Sequence, residues 1–162
     1  MPAGNYVGNV SRYNKIVDAT MSTDTAAYAN GDLLADTQAI DGVLRITNGT
    51  GIVNSIVVID TDDQTLYTFS VWLLDVSTTL GTENGAPGAA DAACLGVLGK
   101  VDFATTDGLD LGGSKVYVKT GLNIPVKAIA DTDDLGVAMI VTTGTPTHSA
   151  AGIRLRIGIT QD

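Results

Sequence analysis

Three kinds of residue in this 162-residue chain could do chemistry, and the first is the repeated tetrapeptide Asp60-Thr61-Asp62-Asp63 and Asp131-Thr132-Asp133-Asp134. Each copy directly follows an apolar run, and clustered carboxylate oxygens can hold Ca²⁺, which takes six to eight oxygen ligands. Neither copy continues into the glycine and distal glutamate of an EF-hand loop, so both read as solvated turns at strand ends, where aspartate is a usual residue. The second is His148, the only histidine, in Thr145-Pro146-Thr147-His148-Ser149. A Ser-His-Asp triad needs a nucleophile bonded to the imidazole and an acid behind it. Ser149 is adjacent, but no G-x-S-x-G elbow occurs, and His148 reads as a loop residue. The third is the aspartates as glycosidase pairs, and nothing selects one pair among the seventeen. The expectation is a protein with no catalytic residues, no cofactor and no metal site.

The glycine-rich stretches 108–113 (GLDLGG) and 81–88 (GTENGAPG) lack the Lys-Ser/Thr of a phosphate-binding loop and read as turns. Tyr67, Phe69 and Trp72 share one apolar run; they could form a stacking platform for sugars or bases, but such a trio reads first as core. Lys115 and Lys119, and likewise Arg154 and Arg156, sit at period-two spacing, so each strand would present its basic heads on one face. On a chain of formal charge −9 these four are candidate contacts to an acidic partner or a neighbouring subunit.

The elements that must position these residues are strands. Val, Ile and Thr are abundant, nineteen glycines punctuate the apolar runs, and acid is supplied by aspartate with Glu83 as the lone glutamate. Aspartate favours turns where glutamate favours helix interiors. Strands are expected at 15–20, 43–47, 51–60, 66–76, 97–104, 114–120 continuing over 123–130 past Pro125, 135–142 and 153–160, with a tight turn at Asn48-Gly49 and a short helix within 89–95. The stretch 22–40 reads as a long loop, and 66–76 as the central strand with Trp72 in the core. About eight strands in one domain predict an all-β antiparallel sandwich, jelly roll or barrel over 15–162. Residues 1–14 read as an extended N-terminal arm, in which Tyr6, Val7, Val10 and Tyr13 could anchor on a partner surface. Such an arm reaches about 45 Å when fully extended.

Composition also excludes. Only nine lysines and arginines argue against nucleic-acid binding. Cys94 is alone, so no intrachain disulfide or cysteine-based zinc site can form. The first ten residues lack a signal-peptide pattern and no run approaches membrane-spanning length, which predicts a soluble protein made in a cytoplasm.

Three segments carry a resemblance to a known family: KIVDATMSTDTAAYANGDLL from Lys15, IVNSIVVIDTDDQTLYTFSVWLLD from Ile52, and LGVAMIVTTGTPTHSAAGIRLRIGITQD from Leu135. Taken in order they resemble a group of short tailed-bacteriophage virion proteins. The resemblance implies a cement or decoration protein of the head, a jelly-roll homotrimer on the capsid exterior whose partners are the major capsid protein and its own copies. It brings no catalytic motif, membrane or nucleic-acid role. Two other readings stay open: a carbohydrate-binding β-sandwich of a phage fibre or bacterial surface, using Trp72, Tyr67 and Tyr117, and a polysaccharide-degrading enzyme using aspartate pairs.

Overall fold

In the computed structural model, which describes residues 13–162, nine strands form two antiparallel sheets. They are β1 (Tyr13–Met21), β2 (Leu33–Ile40), β3 (Thr50–Asp60), β4 (Thr68–Leu74), β5 (Val97–Phe103), β6 (Gly108–Asp110), β7 (Lys115–Lys127), β8 (Leu135–Thr143) and β9 (Ile153–Gln161), with one short helix, α1 (Asp91–Leu95). One sheet runs β1-β9-β3-β7-β6 and the other β2-β8-β4-β5. The order follows from nested pairing: β1 pairs with β9, β2 with β8, β3 with β7 and β4 with β5, all antiparallel. Rolling such a long hairpin sends alternate pairs to opposite sheets, and this is the jelly-roll connectivity.

Period-two alternation decides what is inside. On β9, Ile153, Leu155, Ile157 and Ile159 are buried, while Arg154 and Arg156 point out. On β4, Phe69, Val71 and Leu73 face the other sheet. Phe69 stacks on Phe103 with ring centroids 4.9 Å apart and meets Tyr117 edge-on, also at 4.9 Å, so an aromatic cluster joins the two sheets.

Several expectations need correcting. The stretch 22–40 is not all loop, because Leu33–Ile40 is the edge strand β2. Its alternation is hidden: Leu34 enters the main core while Leu33, on the opposite side, is buried in a second apolar cluster. Residues 43–47 are not a strand; Val43 and Leu44 are buried from an irregular segment that hydrogen-bonds to the β7–β8 turn through Leu44 N to Asp133 O and Asn48 N to Thr132 O. The Asn48-Gly49 turn exists, with Asn48 at φ 57°, but it leads from this segment into β3. Gly108–Asp110, expected as turn, pairs briefly with β7. The strand expected at 114–120 and continuing over 123–130 is, as expected, one strand, with a register shift at 121–123, where Gly121 and Asn123 take positive φ. Pro125 lies opposite Ile52, beyond the part of β7 that pairs with β6, so its missing N–H faces an open edge.

Trp72 is not in the main core. It has outward parity on β4, half-buried in the second cluster with Leu33, Leu74, Leu80, Ala93 and Ala138, beneath the 77–96 excursion that carries α1. Of the expected arm, Tyr13 and Asn14 pair with Gln161 and Thr160 at the start of β1, while Tyr6, Val7 and Val10 lie outside the described residues.

Because Phe69 joins both sheets and Trp72 touches only one, Phe69→Ala is expected to cost about 3–5 kcal/mol. Trp72→Ala should cost clearly less, and denaturant unfolding of the two variants side by side checks the order.

Candidate functional site

The roll brings the β1–β2, β3–β4 and β8–β9 connections to one end of the sandwich, where two candidates kept apart by 84 residues of sequence meet. Asp60 ends β3 at an inward register position, following Ile56 and Val58, and it is fully buried. Its Oδ1 accepts from Asp62 N at 2.9 Å and its Oδ2 from Gln64 N at 3.3 Å, so the carboxylate builds its own turn. Asp62 reaches across to the β8–β9 connection and accepts from Ser149 N at 2.7 Å and from Ser149 Oγ at 3.0 Å. This fastening delivers His148, whose side chain has no exposed surface. Thr23 Oγ1 to Ser149 O and Tyr28 N to Pro146 O tie the same connection to the β1–β2 loop.

The imidazole bridges two environments. Nε2 is 3.1 Å from the Tyr67 hydroxyl, and Nδ1 is 3.5 Å from both Asp60 Oδ1 and Asp62 Oδ2 without a hydrogen-bond partner. Tyr67 in turn is held by Tyr117, whose hydroxyl accepts from Tyr67 N at 3.0 Å and donates to Tyr67 O at 3.2 Å. Burial pushes the Tyr67 hydroxyl well above its ordinary range, with Asp60 adding to the shift, and pushes Tyr28 up to about 12. Both stay neutral at physiological pH. Gly152 completes the site: a Cβ there would lie 1.7 Å from Asp62 Oδ2, so only glycine leaves room for the carboxylate.

Ser149 bonds to Asp62 and not to His148, so the adjacent serine and histidine form no nucleophile–base pair. The second tetrapeptide is different in kind. At the β7–β8 turn Asp131 has φ 63° and is exposed, Asp134 Oδ1 accepts from Gly42 N at 3.1 Å, and no histidine approaches. It is the solvated turn that both copies were expected to be; the first copy departs from that expectation because its leading aspartate falls on the inward register.

The four basic candidates do not share a face. Arg154 and Arg156 lie on the outer face of the five-stranded sheet, bonded to Thr20 and, at 2.6 Å, to Asp18. Lys115 and Lys119 have inward parity, Lys115 opposite Asp60 at the end of β3 and Lys119 opposite Ile56. Lys115 is buried between Asp63 at 2.5 Å and Asp110 at 2.9 Å, and Lys119 pairs with Asp107 at 2.7 Å. These pairs hold Asp107 and Asp110 below the usual carboxylate range and raise Lys115. Of the three aromatics expected in a sugar platform, Tyr67 and Tyr117 are buried in the interior, away from Trp72.

Comparison with protein-family models and with curated proteins finds no match to this chain. The fold defines its class, a jelly-roll β-sandwich. Among the described residues no helix is long and apolar enough to cross a membrane.

Two outcomes follow from the site. Gly152→Ala is expected to destabilise by about 1–3 kcal/mol through overpacking, and a double-mutant cycle with Asp62→Ala should recover much of that loss if the clash is with the carboxylate. Because Tyr28 and Tyr67 have folded-state pKa values above the unfolded value, their contribution is fully present below about pH 10 and is lost as pH rises through the folded pKa. Stability to denaturant should therefore fall between about pH 10 and 12, with tyrosinate absorbance from the buried rings appearing only on unfolding.

Proposed function

We propose that this chain is a viral structural protein, a cement or decoration protein on the outside of a tailed-phage head, that acts as a homotrimer and stabilises the junctions between capsid subunits. The observation that carries this reading is the inequality of the sandwich's two outer faces. The outer face of the four-stranded sheet is covered by the chain itself, where Leu80, Ala89 and Ala93 of the 77–96 excursion pack on Trp72, Leu74 and Ala138. Among the described residues the outer face of the five-stranded sheet has no such cover. It exposes Ile16 on β1, Ile52 on β3, Val118 on β7 and Leu109 on β6, with Arg154 and Arg156 between them on β9.

Exposed branched apolar side chains and arginine on one face are what subunit interfaces select, and the acid on this face, Asp18, is bonded to Arg156. A three-fold ring uses two unlike surfaces on each subunit, and in this reading the open face is one of them. Attachment needs no bond made or broken. A small symmetric clip across a junction stabilises a shell through buried area and multivalent contact, and an acidic chain repels the packaged DNA. The resemblance of the three segments to phage virion proteins supports the same reading. The carbohydrate-binding alternative draws no support from the aromatics, since Trp72 stands apart from Tyr67 and Tyr117 and donates Nε1–H to Ser70 Oγ at 2.8 Å.

Sedimentation of the purified chain is expected to give three copies, and co-sedimentation with heads lacking it should show binding and protection against heat. Val118→Asp combined with Ile52→Asp should yield a monomer whose unfolding midpoint differs little from that of the isolated wild-type subunit, because both side chains point away from the core. A wild-type monomer that also fails to bind heads would overturn the reading.

A further inference from the structure

We propose that Asp60, Asp62 and His148 form a binding site for one divalent transition-metal ion of the zinc type. Each residue offers one donor atom within 4.8 Å of the other two, and His148 Nδ1 faces Asp60 Oδ1 and Asp62 Oδ2. The carboxylates alone would be an unremarkable acidic pair. What points to a ligand is the imidazole: its side chain is wholly buried, and its Nδ1 has no hydrogen-bond partner while aimed between two carboxylate oxygens at 3.5 Å from each.

That separation is too long for a good hydrogen bond, and it matches the spacing of ligands around an ion. Donors about 2.1 Å from a tetrahedral centre stand about 3.4 Å apart. Imidazole with carboxylates suits zinc, cobalt or manganese, while calcium wants six to eight oxygens and magnesium near-octahedral oxygen ligation.

The surroundings supply what such a site needs. Once Nδ1 is a ligand, Nε2 must carry the ring proton, and it donates to the neutral Tyr67 hydroxyl 3.1 Å away; outer contacts of this kind fix the ring orientation in metal sites. Asp60 is oriented by the backbone N–H groups of Asp62 and Gln64, and Asp62 by Ser149. Charge gives a separate argument. Among the described residues no lysine or arginine pairs with Asp60 or Asp62; Lys115, across the ladder from Asp60, is committed to Asp63 and Asp110. Buried carboxylates without a cation are costly, and a divalent ion answers that cost. His148 and Asp60 are closed to solvent, but the Asp62 side chain is about a quarter exposed, so water can complete the coordination from that side.

The ion would join the β3–β4 turn to the β8–β9 connection, two loops that close one end of the roll. Its effect is stabilisation, independent of what the protein attaches to.

The test uses the full chain carrying Cys94→Ser, so that the exposed thiol cannot contribute a ligand. After stripping with chelator, titration with Zn²⁺ is expected to show one equivalent bound per chain and a raised unfolding midpoint, with Ca²⁺ and Mg²⁺ giving no comparable shift. Co²⁺ should give the visible bands of a nitrogen–oxygen site without thiolate charge transfer. His148→Gln should remove the binding. Tyr67→Phe, which leaves all three donors in place, should weaken it about 10- to 100-fold; this variant decides the matter even if His148→Gln does not fold. An unfolding midpoint that Zn²⁺ and Mn²⁺ leave unchanged in the Cys94→Ser chain overturns the proposal. So does binding that is indifferent to Tyr67→Phe and His148→Gln.

Discussion

The pairing of the first strand with the last is the constraint on which everything else here depends. Among the described residues β1 is an edge strand paired with β9, and β9 lies between β1 and β3 in the five-stranded sheet. Until residues 153–161 are in place β1 has no strand beside it and β3 keeps one of its two edges open. Ile153, Leu155, Ile157 and Ile159 therefore act as a wedge that closes the sheet, and their burial is shared with Val17, Met21, Ile56 and Val58 from both neighbours. Long-range pairing of this kind is slow to form, because loop-closure entropy is lost before the contacts compensate for it. It also means that a fragment lacking either end exposes a sheet edge.

The same roll explains why a polar node can exist at one end of so apolar a sandwich. Antiparallel pairing of β3 with both β7 and β9 aligns the end of β3 with the start of the others: Asp60 stands opposite Lys115 on one side and Ile153 on the other. The connections that leave these strands are forced into the same space, and Asp60, Asp62, Ser149, Gln64 and Thr147 satisfy one another there, with Gln64 Oε1 accepting from Thr147 N at 3.0 Å. A buried polar cluster of this kind specifies a loop arrangement where a purely apolar end would tolerate several.

The fold was legible where alternation is clean. β9, β7 and the inner half of β3 announce themselves by period two, and Asn48 marks a real turn, while Pro125 stays inside β7, opposite Ile52. Legibility failed wherever a strand is covered on both faces by unlike means. Leu33-Leu34-Ala35 shows no alternation because Leu33 meets the 77–96 excursion while Leu34 enters the main core, and a register shift between Leu33 and Ala35 puts Ala35 in the main core as well. Trp72 misled for the same reason: an apolar run such as Val71-Trp72-Leu73-Leu74 says that both faces are dry without saying which residue belongs to the main core. Residues 43–47 have a strand's composition but lie across the end of the sandwich, where burial comes from capping rather than pairing.

The two Asp-Thr-Asp-Asp segments sharpen the point, because their sequences are identical and their physics is not. In the first, counting back by twos from Asp60 gives Val58 and Ile56, both inward, so a signal for a buried carboxylate was present in the strand before it. In the second, Asp131 follows the end of β7, past the last ladder pair at Lys127, and no register reaches it. What neither tetrapeptide could reveal is the partner. His148 lies 86 residues beyond Asp62 and becomes its neighbour only because β9 returns to pair with β3, so the site is a property of the topology. A residue's chemistry in such a fold is set first by whether its strand register points it inward, and then by which distant loop the closing strand delivers beside it.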